Sequence, residues 1–154
     1  MKPAFYLPIL ALFIFSGFSA FSQEIVVLNP TTTDIDDATI VLLSPDVNYG
    51  DDDELSVYTW THNGELNKTR SLLRFDMSAI PAEAEILDAT LILYFNTVST
   101  NGSQHSGENN YYIQRVVSPW DEETVTWNSQ PFTTQLNRVE VPEPPTPTRI
   151  LWWT

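Results

Sequence analysis

The sequence predicts an all-β chain, an antiparallel β-sandwich of jelly-roll type. Three observations predict it. Helical periodicity is nearly absent. Short runs rich in Val, Ile, Thr, Tyr and Trp recur between clusters of Pro, Gly, Asn, Asp and Ser. There is no cysteine, so no disulfide staples the chain, and a set of strands must bury a core of its own.

Residues 1–22 stand outside that domain. Lys2 gives a positive start, Ala4 to Phe15 is almost wholly apolar, and Ala20-Phe21-Ser22 offers small residues at a cleavage point before Gln23. This is the pattern of a secretory signal peptide. The apolar run is about a dozen residues where a membrane span needs roughly twenty, and Pro8 interrupts it, so no span is expected after cleavage. The absence of cysteine also excludes a lipoprotein anchor. The expected location is extracellular, with residues 23–154 forming a single domain.

Along that domain, Glu24–Leu28 reads as a first strand and Asn29 to Thr33 as a break. Ala38–Leu43 is apolar on both faces and reads as a strand buried on both sides or lying beside a covering loop. Ser44 to Glu54 is a long loop with Pro45, Gly50 and four closing acids. Leu55–Thr61 alternates as a strand, and Asn63-Gly64 favours the primed turn of a hairpin, so Lys68–Phe75 returns as its partner. Asp76 and Ser78 can bond their own backbone, and Pro81 cannot donate to a ladder, so the strand stops there. Ala89–Phe95 and Tyr111–Val117 are further strands, separated by the polar loop Ser99–Asn110. Thr124–Asn128 reads as a short strand, Val139–Val141 as one more, and Pro142–Thr148 as an extended polyproline-like segment.

With Lys2 removed, the 7 Lys and Arg fall to 6 against 20 Asp and Glu, and the formal net charge goes from −13 to −14. A nucleic-acid partner is disfavoured, because phosphate binding needs concentrated cations, and so is an anionic polysaccharide unless a local basic patch or a bridging cation is present; a neutral glycan or a calcium-linked surface fits the charge better. Asp34, Asp36, Asp51 and Asp53 are candidate calcium ligands, since hard oxygen donors in flexible loops suit that ion, although neither cluster follows the EF-hand pattern. The competing reading is a solvated acidic surface that keeps the chain soluble.

Six pieces then occur in order: Asp37-Ala-Thr-Ile40; Ser44-Pro-Asp-Val-Asn-Tyr-Gly50; Leu55-Ser-Val57; Arg70-Ser-Leu-Leu-Arg-Phe-Asp76 with Ile80-Pro81; Ile86-Leu-Asp-Ala-Thr-Leu-Ile-Leu-Tyr94; and Ser118-Pro-Trp-Asp-Glu-Glu-Thr-Val-Thr-Trp-Asn-Ser-Gln-Pro131. Over about residues 34–135 this series resembles the DNRLRE domain, carbohydrate-binding module family 96. The resemblance implies a secreted, non-catalytic β-sandwich that binds polysaccharide, often appended to or beside a polysaccharide-degrading enzyme. Alginate is one ligand associated with such domains. Full domains of this kind continue past the Trp-Asn-x-x-Pro segment into further strands, whereas this chain closes on Pro147-Thr-Arg-Ile-Leu-Trp-Trp-Thr154. An incomplete C-terminus is therefore expected, leaving strand edges and an apolar face uncovered.

For a sugar ligand the candidates are Trp60, Tyr58 and His62, with Arg70 and Arg115. Pyranose C–H faces pack on aromatic planes, and Arg bonds carboxylates in bidentate fashion. Arg74 is expected to pair with an acid instead, and Trp120 and Trp127 read as framework. A catalytic reading would need Asp121, Glu122 and Glu123 as acid and base. His62 and His105 lie in loops with no nucleophile motif nearby, and no enzyme is expected. Asn67-Lys-Thr69 and Asn101-Gly-Ser103 match glycosylation sequons. The alternative from another class is a structural or adhesive surface module making protein contacts.

Overall fold

The computed structural model describes residues 23–29, 34–94, 110–141 and 150–152. The expected leader, residues 1–22, most of the polar loop before Asn110 and the proline-rich segment lie outside them. Among the described residues every regular element is a strand: β1 (Ile35–Val41), β2 (Tyr58–His62), β3 (Glu65–Phe75), β4 (Ile92–Tyr94), β5 (Tyr111–Val116), β6 (Thr133–Val141) and β7 (Ile150–Trp152). All pairings are antiparallel, in three sheets ordered β1-β3-β2, β5-β6 and β4-β7. The all-β class predicted from sequence holds, and the arrangement is consistent with a sandwich.

β3 is the longest strand and the centre of its sheet. It pairs with β1 over Thr69–Phe75 and with β2 over Glu65–Thr69. The β2–β3 turn is the expected Asn-Gly, with φ of 51° at Asn63 and 88° at Gly64, a left-handed pair that matches the strand twist. At the other end the Asp76 N–H donates to the Asp34 carbonyl at 2.9 Å. The Asp76 carboxylate then accepts from the Ser78 N–H and hydroxyl, both at 2.8 Å, and these bonds stop the strand.

Register assigns the two faces of this sheet. Asp36, Ala38 and Ile40 lie opposite Arg74, Leu72 and Arg70 on one. There Ala38, Ile40 and Leu72 meet Val125 in the buried core, with Val116, Trp120 and Trp127 packed around them. Asp37, Thr39 and Val41 lie opposite Leu73, Ser71 and Thr69 on the other face. The loop after β1 crosses that face. The Thr39 hydroxyl donates to the Glu54 carbonyl at 3.3 Å, the Ser71 hydroxyl to the Ser56 carbonyl at 2.9 Å, and Asn67 Oδ1 accepts from the Leu43 N–H at 3.2 Å. Thr39, Asn67 and Thr69 are thereby buried polar residues under a loop rather than a hydrophobic layer.

The outer edge of β1 is blunted by two contacts. Its Thr39 N–H reaches the Tyr49 carbonyl at 3.4 Å, and its Asp37 N–H reaches Glu122 Oε1 at 2.9 Å. Asn48 Nδ2 donates to the carbonyls of Glu122 at 2.7 Å and Val125 at 2.8 Å, and Asn48 Oδ1 accepts from the Gly50 N–H at 3.1 Å. Asn128 N–H bonds the Pro45 carbonyl at 3.0 Å, and its amide bonds Asp46 at 2.8 Å. The segment 118–130 is thus stitched to the loop 44–50, and together they close the core.

Two expected strands are not strands. Glu24–Leu28 joins no ladder among the described residues, and Ile25 and Val27 are exposed. Thr124–Asn128 is a pair of turns. Val125 N–H bonds the Asp121 carbonyl at 2.9 Å, and the Ser129 hydroxyl accepts from the Thr126 N–H at 2.9 Å. Asp, Thr and Ser side chains here offer the backbone local partners that win over a ladder. Of the described part of the expected Ala89–Phe95 strand, residues 89–94, only Ile92–Tyr94 pairs, and it does so with β7; Phe95 lies outside the described residues. The β1 pairing begins at Ile35 and ends at Val41, earlier than the apolar run suggested.

Candidate functional site

The residues singled out from sequence fall on two separate surfaces. Tyr58, Trp60 and His62 alternate along β2, so they share one side of the sheet, opposite Thr69, Asn67 and Glu65 of β3. All three are exposed. Arg70 projects on the opposite side. Its guanidinium lies 4.7 Å from the Trp127 ring centroid and donates through Nη1 to Gln130 Oε1. The β3 parity that makes Leu72 a core residue carries Arg70 and Arg74 to the same side as the core, flanking it.

Arg74 pairs as expected, though with Asp36, its cross-strand neighbour on β1. Its Nη1 donates to the Trp120 carbonyl at 2.9 Å, and its guanidinium sits 5.0 Å from the Trp120 ring centroid. Trp120 and Trp127 therefore have two roles. One side of each packs on the core, and each ring carries an arginine.

Arg115 joins Arg74 across a cleft of about 420 Å³ between β3 and β5. Its apolar lining is Leu73, Val116, Pro119 and Trp120, and its polar lining is Arg74, Gln114, Arg115 and Ser118. Gln114 and Arg115 are adjacent in sequence, and strict alternation would send them to opposite faces. Both nonetheless line the cleft, and the register shift of the β5–β6 ladder between Ile113 and Arg115 puts its extra residues, 135–138, on β6. The Gln114 amide is oriented by the Thr133 hydroxyl, which donates to Oε1 at 3.0 Å, and the Ser118 hydroxyl accepts from the Phe132 N–H at 2.8 Å. Neither Gln114 nor Ser118 was singled out from sequence.

The acidic candidates are dispersed. Asp36 is engaged with Arg74, the Asp34 carbonyl is engaged with Asp76, and Asp51 and Asp53 are exposed on the loop. Among the described residues no group of three or more His, Cys, Asp or Glu gathers as a metal site would require. Asp121 Oδ1 accepts from the Thr124 hydroxyl at 3.0 Å, and Glu122 holds the β1 edge. Burial, and next the neighbouring Glu122 carboxylate, push the Asp37 carboxyl above its ordinary value. The two Ser78 bonds hold Asp76 below its own. Burial raises the Tyr111 phenol. The Asn67 of the first sequon is buried with its amide oxygen bonded to Leu43 N–H, and the second sequon lies outside the described residues.

A cleft that offers guanidinium and amide donors beside an indole plane, on an antiparallel all-β frame, has the chemistry of a carbohydrate-binding module. Comparison with protein-family models gives the particular one. Residues 29–146 match carbohydrate-binding module family 96, and the chain belongs to that family. No curated protein and no solved structure matches the chain. No helix among the described residues is long and apolar enough to cross a membrane.

Proposed function

We propose that this chain is a secreted, non-catalytic module that binds an acidic polysaccharide through the cleft between β3 and β5. The observation that carries this reading is the convergence of Arg74 and Arg115 on one cleft beside Trp120, in a chain with 7 Lys and Arg in all. Arg115 supplies the fork that a uronate carboxylate accepts. Gln114 and Ser118 supply hydroxyl partners, and Trp120 an apolar plane. Arg74 exchanges part of its bonding with Asp36 for the ligand.

The overall negative charge opposes a polyanion, but at physiological ionic strength that repulsion fades over about 8 Å, so charges inside the cleft decide. The non-catalytic reading rests on how the acids are used. Asp121 and Glu122 are committed to a turn and to a strand edge. Secretion rests on the leader pattern of residues 1–22. A polysaccharide-degrading enzyme, appended or neighbouring, is the partner such a module would serve by keeping it on substrate.

Affinity gel electrophoresis in alginate and pectate tests the reading. The chain is expected to be retarded by at least one polyuronate. Arg115→Ala should weaken binding about tenfold, the worth of one charge-assisted bonded pair. Equal mobility in every gel, or an unaltered Arg115→Ala variant, would overturn it.

A further inference from the structure

We propose that the outer side of β2 is a second and separate sugar-binding surface, on which Tyr58, Trp60 and His62 take the flat C–H faces of an uncharged polysaccharide. It lies on the opposite side of the β1-β3-β2 sheet from the buried core and from Arg70 and Arg74. It does not depend on the cleft for its argument or its test.

The first argument is placement. β2 is an edge strand, paired only with β3 among the described residues. Trp60 is 51% and Tyr58 37% exposed. Their cross-strand partners on the same side are Asn67 and Thr69, which are polar and buried under the loop after β1, so the rings are not half of an aromatic cluster. Alternate residues of a strand stand about 6.7 Å apart, so the three rings make a row about 13 Å long. A row of that length suits several consecutive units of a linear glycan lying along the strand, not one monosaccharide.

The second argument is chemistry. A purely apolar strip would suit a protein or lipid partner. This one interleaves ring planes with a phenol, an imidazole and the Glu65 carboxylate opposite His62. Sugars present that combination, an apolar ring face fringed by hydroxyls.

The third argument is charge. No Lys or Arg of β2 or β3 projects on this side, because Lys68, Arg70 and Arg74 all have the other parity. The loop bearing exposed Asp51, Asp52 and Asp53 crosses this same side, anchored by the Thr39 hydroxyl on the Glu54 carbonyl. An acidic surround repels a uronate chain. It equally repels a second copy of this chain, whose formal charge is −13. The occupant left is a neutral polysaccharide.

Native gels containing hydroxyethylcellulose, galactomannan or alginate separate the two surfaces. The chain should be retarded by at least one neutral polysaccharide. Trp60→Ala should weaken that retention about tenfold and leave alginate mobility unchanged. Arg115→Ala should do the reverse. Trp60→Phe keeps a ring, so it should keep retention while losing the tryptophan fluorescence change that the neutral glycan induces. That variant carries the test should Trp60→Ala lower the unfolding midpoint. Three results would overturn the proposal: no neutral polysaccharide retards the chain; Trp60→Ala binds as the original does; or sedimentation shows a dimer that Trp60→Ala dissociates, which would give the strip to a second copy.

Discussion

Gly50 gives the sharpest stability prediction. A β-carbon at this position would run into the Glu122 carbonyl oxygen and lie 3.1 Å from both the carbonyl carbon and Cγ of Glu122. Two of these atoms are backbone and cannot swing aside as a side-chain tip would. The same carbonyl accepts the Asn48 amide at 2.7 Å, and the next bond along holds Val125, a core residue only 3% exposed. Gly50→Ala must therefore lift the 118–130 segment off the 44–50 loop. Overpacking of this kind costs about 1–3 kcal/mol. Loss of the Asn48 bond adds about 1 kcal/mol. The stiffer unfolded chain returns about 0.4–1 kcal/mol. The net is a destabilisation of about 2 kcal/mol. Urea unfolding followed by tryptophan fluorescence should show the midpoint lowered by about 1 M with an unchanged slope. Adding Asn48→Ala to Gly50→Ala should then cost less than it does alone, because both act through one contact. A midpoint unmoved by Gly50→Ala, or strict additivity with Asn48→Ala, would refute the reasoning.

Other expectations follow from the same geometry. Because the Asp37 carboxyl is raised, the folded chain holds a proton that the unfolded chain has released; the stability this contributes is complete below the ordinary Asp value and is lost as pH rises through the raised one. Glu122→Gln keeps an acceptor for the Asp37 N–H and removes the charge, so melts from about pH 7 to about pH 4 should show the variant gaining on the original at the neutral end and the gap closing in acid; a constant gap would count against the pair. Asp76 carries the opposite sign, with stability present above its ordinary value and lost as pH falls, but it is common to both proteins and cancels. Asp36 and Arg74 are 36% and 48% exposed, so a double-mutant cycle with alanine should give a coupling of only about 0.2–1 kcal/mol, and a value several times larger would mean the pair is shielded from solvent. Asn67→Ala leaves the Leu43 N–H without its acceptor beneath the covering loop and should cost about 1–3 kcal/mol by urea unfolding, an unchanged midpoint showing that water replaces the amide freely.

The elements that local rules dictate were legible. The Asn63-Gly64 turn fixes the β2–β3 register, and Asp76 with Ser78 ends β3 as their side-chain chemistry requires. Trp120 and Trp127 pack on the core as expected of framework residues. What alternation could not supply was which face of β3 is covered. Leu72 and Arg74 share a parity, and only the long-range docking of Val125 and Trp120 makes one a core residue and the other a stacked cation. For the same reason Trp60 and Arg70, grouped as one sugar site from sequence, lie on opposite sides of one sheet. Arg115 was legible as a candidate but its cleft neighbour Gln114 was not, because alternation does not say which face of β5 meets β3, and the Thr124–Asn128 strand was lost to hydroxyl and carboxylate side chains that bond their own turn.

The stitching of segment 118–130 to the loop 44–50 also sets an order of events during synthesis. The β1-β3-β2 sheet is complete once Phe75 has left the ribosome, and its strands lie within about 40 residues of one another, so it can form early. Yet Ala38, Ile40 and Leu72 then face nothing. Their cover, Val125 with Trp120 and Trp127, lies about 50 residues downstream, and at about 5–20 residues per second the chain waits roughly 3–10 s with its apolar side open. In that interval the open apolar side is a surface that a holding chaperone can cover. Emergence of residues 118–130 closes it.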